Sequence, residues 1–112
     1  MIKPAYCPVL NEYVVFNSKG FRHLRYDTHG KPRNRKEQLY KLQLLRYVVA
    51  VIKKSSVIYD YKKEQYSHPL GKYYEIWELQ AKIDGISSPI SVILRRIGTG
   101  NIAFLSVWKN KK

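Results

Sequence analysis

The sequence predicts an α+β domain: one main helix packed on a four-stranded antiparallel β-meander, with a short N-terminal β segment ahead of it. Three observations lead there. Apolar residues between positions 34 and 53 recur at helical spacing. Four stretches from position 57 onward are rich in Val, Ile, Tyr and Trp, and Gly-containing turns separate the later ones. A helix followed by consecutive strands is the order of an α+β chain, not of alternating βαβ units. With 112 residues, positions 1–112 are expected to form a single domain.

In chain order, Glu12 to Phe16 reads as a short strand closed by Asn17-Ser18-Lys19-Gly20. Phe21 to Tyr26 fits no single period, and Asp27 to Pro32 has loop composition. Asn34 is the expected N-cap of the helix, with Glu37 three residues on as in a capping box. Leu42, Leu45, Val49 and Ile52 follow the spacing of a buried stripe, and Lys53 and Lys54 suit the negative end of the helix dipole. The four predicted strands are Val57 to Lys63, Lys72 to Ile83, Pro89 to Ile97 and Ile102 to Lys109; Glu64 to Gly71, with Pro69, is expected to be a loop.

Turn positions assign side chains to faces, because a strand alternates and a hairpin fixes register. A two-residue turn at Thr99-Gly100 sets Arg95 opposite Phe104, Ile93 opposite Ser106 and Ser91 opposite Trp108. Val92, Leu94, Ala103, Leu105 and Val107 then form the core face under the helix. A turn at Asp84-Gly85 adds Trp77 and Leu79 to that core, and Tyr74, Ile76, Glu78, Gln80 and Lys82 to the face that carries Arg95. One sheet face is thus expected to display a carboxylate, an arginine, a hydroxyl and several aromatic rings.

Twenty-one Lys and Arg against eight Asp and Glu give a formal net charge of +13, a field that draws polyanions. Nucleic acid, and RNA in particular, is the expected partner class. No stretch approaches the ~20 apolar residues of a membrane span, and Met1 to Tyr6 is not followed by the apolar core of a secretory signal, so no membrane partner and a cytoplasmic location are expected. The single cysteine, Cys7, excludes an intramolecular disulfide and a multi-cysteine zinc site. No His and carboxylate grouping has metal-ligand spacing, so neither a metal nor a cofactor is expected. Gly98-Thr99-Gly100 reads as a hairpin turn and not as a phosphate-cradling loop.

RNA can be cleaved without metal by activating its 2′-hydroxyl against the adjacent phosphate, given a proton acceptor, a proton donor and cations for the phosphorane. The chain offers Phe21-Arg22-His23-Leu24-Arg25, a helix with a basic start, and a last strand reading Asn101-Ile102-Ala103-Phe104-Leu105-Ser106-Val107-Trp108. Over about residues 12 to 109 this series resembles the phage-associated branch of the barnase–EndoU–colicin–RelE-like nuclease and toxin superfamily. The resemblance implies a metal-independent endoribonuclease of toxin type that leaves a 2′,3′-cyclic phosphate on cellular RNA such as tRNA. It also implies an acidic protein inhibitor or antitoxin. Carried over, the catalytic positions are His23, Arg25 (or Arg35), Arg95 and Ser106, with Glu78 matching the carboxylate base of the barnase-like members. Arg22, Lys31, Arg33, Arg35 and Lys36 are the expected RNA phosphate contacts, and Phe104 and Trp108 the expected stacking platforms. Two rival readings use the same residues: a nucleic-acid-binding module without catalysis, and an accessory protein of a mobile element.

Overall fold

A computed structural model of the chain describes residues 3–17, 30–69 and 71–110. The elements are β1 (Ala5–Cys7), β2 (Glu12–Val15), α1 (Arg35–Lys54), β3 (Ile58–Ser67), β4 (Lys72–Ala81), β5 (Ile90–Ile97) and β6 (Ile102–Lys109). Among the described residues the strands form one six-stranded sheet in the order β1-β2-β6-β5-β4-β3. This overturns the expected architecture of a helix on a four-stranded antiparallel meander. The sheet is mixed, because β2 runs parallel to β6, pairing Val14 with Ile102 and Val15 with Ala103. The N-terminal segment is therefore part of the sheet, with β1 antiparallel to β2 at its edge. A strand pattern at positions 12–16 states that a strand exists, whereas its partner lies some ninety residues away and carries no local signal.

Helix α1 crosses one face of the sheet, against β1, β4, β5 and β6. Its N-cap is Asn34, whose Oδ1 accepts the Glu37 N–H at 2.8 Å while Asn34 Nδ2 donates to Glu37 Oε1 at 3.0 Å. The buried helix residues are Leu44, Val48, Val51 and Ile52. The face is turned from the expected stripe: Leu42 is half exposed, and Leu45 and Val49 pack only at the margin. Below the helix, Ala5, Cys7, Val14, Trp77, Leu79, Val92, Leu94, Ile102, Phe104 and Val107 complete one core spanning both the N-terminal strands and the later hairpins.

Three departures from ideal hairpins decide which side chains share a face. Strand β3 runs to Ser67, through much of the stretch expected to be a loop, and turns at Gly71, whose φ of +63° suits glycine. Between β4 and β5 lies a connection of residues 82–89; the Asp84-Gly85 turn forms, with Ile86 N–H donating to the Ile83 carbonyl at 3.0 Å, but the strands do not pair directly out of it. Ala81 consequently faces Ile90, two residues off the expected register, and an even shift leaves every side chain on its expected face. The third departure changes a face. The β5–β6 pairing keeps Ser91 opposite Trp108 and Ile93 opposite Ser106, then slips by one residue, so that Leu94 faces Phe104 and Arg95 faces Ala103. This irregularity at Leu105 acts as a β-bulge. It turns Phe104 into the core, at 1% exposure, and leaves Ala103 and Leu105 half-buried outside it.

Candidate nucleic-acid interface

The face of the sheet opposite α1 is not covered by any element among the described residues. Strand alternation places Tyr74, Ile76, Glu78 and Gln80 of β4, Ser91, Ile93, Arg95 and Ile97 of β5, and Ser106 and Trp108 of β6 on it. The parallel pairing of β2 extends the same face to Val15, Tyr13 and Tyr6. Tyr6 and Tyr13 stack edge to face at 5.3 Å, and the Tyr6 hydroxyl donates to Asn11 Oδ1. Tyr13 is 63% exposed, a large aromatic surface left in water.

Arg95 is the central cation of this face. It lines a cleft of about 280 Å³ with Val15, Asn17, Ile97, Ala103 and Leu105. Burial pushes its guanidinium below the ordinary arginine value, with Tyr74 acting weakly in the other direction. The group is still charged at neutral pH, because an arginine does not deprotonate in that range. Among the described residues it has no carboxylate partner. The adjacent Arg96 points to the helix side and is neutralised. It bonds Glu12, lies 4.0 Å from Glu75 and stacks 5.8 Å over Trp77, while Tyr61 donates to Glu75 from β3.

A second cleft, of about 180 Å³, lies beside the first and is lined by Asp60, Lys62, Ile76, Glu78, Ile93 and Trp108. Ile76 is the cross-strand partner of Arg95, so the two clefts are one residue step apart. A chain of hydrogen bonds ties the cleft's carboxylate to its indole. The fully buried Ser91 hydroxyl donates to Glu78 Oε2 at 2.8 Å and accepts from Gln80 Nε2 at 3.1 Å and Asn110 Nδ2 at 2.8 Å. Asn110 in turn accepts from Trp108 Nε1 at 3.3 Å and is anchored on Pro89. Such a network fixes rotamers before any ligand arrives.

The residues expected from sequence are thus divided. Arg95, Ser106, Glu78 and Trp108 share the open face. Phe104 does not, and its buried ring cannot stack on a base. Arg22, His23 and Arg25 lie outside the described residues. Lys31, Arg33, Arg35 and Lys36 sit at or just before the start of α1, the helix that packs on the other face; Arg33 pairs with Glu37 at 3.5 Å, and Arg35 and Lys36 are exposed. Sequence reasoning missed Tyr6, Tyr13, Asp60 and Lys62, which reach the face through the β2–β6 pairing and through β3. Only the alternation of Tyr13 with the buried Val14 hinted at the tyrosines. Cys7 is fully buried and burial raises its thiol, the signature of an inert packing residue.

Among the described residues no group of His, Cys, Asp and Glu could hold a metal, and no helix is long and apolar enough to cross a membrane. No protein-family model matches the chain, and no curated protein or solved structure is significantly similar to it.

Proposed function

We propose that the chain binds single-stranded RNA across the open sheet face, with a backbone phosphate at Arg95 and bases against Trp108 and the Tyr6–Tyr13 pair. The observation that carries this reading is the contrast between two neighbouring arginines. Arg96 has carboxylates on hand, whereas Arg95 is half-buried beside apolar residues without one among the described residues. A desolvated cation without a counter-charge favours an anionic ligand, and a net charge of +13 draws that ligand in. Exposed aromatic rings beside it suit unpaired bases, which every ring can stack regardless of sequence.

A second reading adds cleavage of that RNA to a 2′,3′-cyclic phosphate, as the resemblance to toxin-type ribonucleases implies. It is favoured by Arg95 and Ser106 occupying one face, where a guanidinium and a hydroxyl could hold the reacting phosphate. His23 would be the proton acceptor on this reading. An inhibitor of such a nuclease would be acidic and would cover the same face.

One experiment addresses both. The purified chain is titrated with a labelled single-stranded RNA and with duplex DNA of equal length, in EDTA, while the RNA is monitored for fragments. Single-stranded RNA is expected to bind more tightly than the duplex. Arg95→Gln is expected to weaken RNA binding by about tenfold, as for a charge-assisted phosphate contact, and Lys53→Gln, an equal charge loss at the far end of α1, much less. Equal effects of the two substitutions, or equal affinity for duplex and single strand, would remove the reading. Fragments that end in a cyclic phosphate and vanish in His23→Ala and Arg95→Gln would establish cleavage; intact RNA would leave binding alone.

A further inference from the structure

Strand β3 differs in character from the rest of the molecule. It ends the sheet order, with β4 on one side and no strand on the other among the described residues. Ile58, Tyr59, Tyr61 and Tyr66 are exposed along it, and so is Val57 just before it. A ten-residue edge strand that carries apolar side chains in water is a template for another strand. Its charge also stands apart. Ile58–Ser67 holds Asp60 and Glu64 against Lys62 and Lys63 and is neutral, in a chain of net charge +13. A second copy of this basic chain therefore meets less repulsion at β3 than over the chain as a whole.

We infer that two copies of the chain associate edge to edge, β3 antiparallel to β3, about a two-fold axis that passes through Tyr61. The faces decide the register. Asp60 and Lys62 lie across from Glu78 and Ile76 and so belong to the open face. Tyr61 lies across from Trp77, stacks on it at 5.5 Å and belongs to the helix side. With Tyr61 on the axis, Asp60 of each copy stands opposite Lys62 of the other, which gives two symmetric ion pairs on one face. Within its own chain Asp60 has the carboxylate of Glu78 as its cross-strand neighbour and makes no ion pair among the described residues. The two irregularities of β3 lie between Ile58 and Asp60 and between Lys62 and Gln65, on either side of Tyr61, and each adds one residue against β4. Antiparallel pairing sets the first of one copy against the second of the other, so neither flips a face. The Val57 end of one copy then lies beside the Tyr66 end of the other, and apolar surface exposed on both is covered. Tyr61 N–H, which donates to Asp60 Oδ1 at 2.9 Å, passes to the Tyr61 carbonyl of the second copy and releases that carboxylate for Lys62. The inference does not depend on what the open face binds, but it sets both Arg95 residues on one side of a continuous sheet and both helices on the other.

The test is sedimentation equilibrium of the full chain, free of nucleic acid, over a range of concentrations at about 0.15 M salt. A monomer–dimer equilibrium is expected, with a dissociation constant on the order of 10 μM for so small an interface. Asp60→Lys and Lys62→Asp each set like charges opposite one another, and each is expected to weaken the dimer by about tenfold. Asp60→Lys combined with Lys62→Asp exchanges the two charges and is expected to restore the dimer at the parent's net charge. Both positions are exposed, so the melting temperatures of all three variants should stay close to the parent's. General repulsion between basic chains would act differently, because Lys62→Asp lowers the net charge and would then strengthen association. That result would overturn the inference, as would a combined variant no better than the single ones. So would a chain that is still monomeric at about 1 mM.

Discussion

The two faces of the sheet treat the same kinds of residue in opposite ways. On the helix side, Trp77 is buried, Arg96 is held by Glu12 and Glu75, and Phe104 is packed against Phe16 at 5.7 Å. On the open side, Trp108 is half-buried at a cleft, Arg95 has no carboxylate among the described residues, and Tyr13 is largely exposed. The difference is one of compensation. A face built for stability neutralises its charges and fills its contacts with its own chain. On the proposed reading, the open face leaves both to a ligand, an anion for Arg95 and a base for the aromatic rings.

The sharpest way to break this contrast is Phe104→Ala. Without the bulge at Leu105, Phe104 would belong to the open face, and its removal would cost binding and little else. With the bulge, the ring is a fully buried core element, and its truncation is expected to cost about 3–5 kcal/mol. Denaturant unfolding measures this directly, and a loss under about 1 kcal/mol would mean that Phe104 is not in the core.

Phe104 also marks how far the sequence could be read. Helix α1 was legible because its signals are local: Asn34 and Glu37 cap it, and apolar residues at turn spacing hold it to the sheet. The faces of β4 were legible despite a misjudged connection at 82–89, because an even error in register leaves alternation intact. The bulge was not legible, since Leu105 is an ordinary strand residue with no glycine or proline to announce it. The parallel docking of β2 on β6 was not legible either, and with it went Tyr6, Tyr13 and the six-stranded sheet. Half of the candidate site therefore followed from alternation alone, namely Arg95, Ser106, Glu78 and Trp108. The rest depended on pairing between chain ends.

A smaller effect separates the two arginines. Arg96→Gln strands Glu12 and Glu75 and removes the stacking on Trp77, and it is expected to cost about 1 kcal/mol, limited by the partial exposure of the pair. Arg95→Gln removes a partly desolvated charge that no carboxylate of the described residues balances, and it is expected to leave stability within about 0.5 kcal/mol. RNA binding should rank the two variants in the reverse order. Chemical denaturation and RNA titration on the same two proteins compare both orders, and a shared order in the two measurements would end the division of labour between the faces.

The smallest expected effect concerns Lys41, a cation of the helix that the fold partly covers. Its ammonium donates to the Val107 carbonyl at 2.8 Å, and burial, with nearby Arg33 adding to it, holds its pKa below the ordinary lysine value; Glu37 acts the other way. The unfolded chain then binds the proton more tightly than the folded one. Stability must therefore rise with pH between the lowered folded value and the ordinary value of 10.5, and below that window the charged form carries its full desolvation cost. Lys41→Met lacks this titration. At neutral pH the lost hydrogen bond and the relieved desolvation oppose each other, so the variant should differ from the parent by no more than about 1 kcal/mol. As pH is raised toward 10, the parent is expected to gain on the variant, and the difference between the two removes the contribution of every other lysine. A parent that loses ground to Lys41→Met over that range would mean that the helix face stabilises this cation instead of merely covering it.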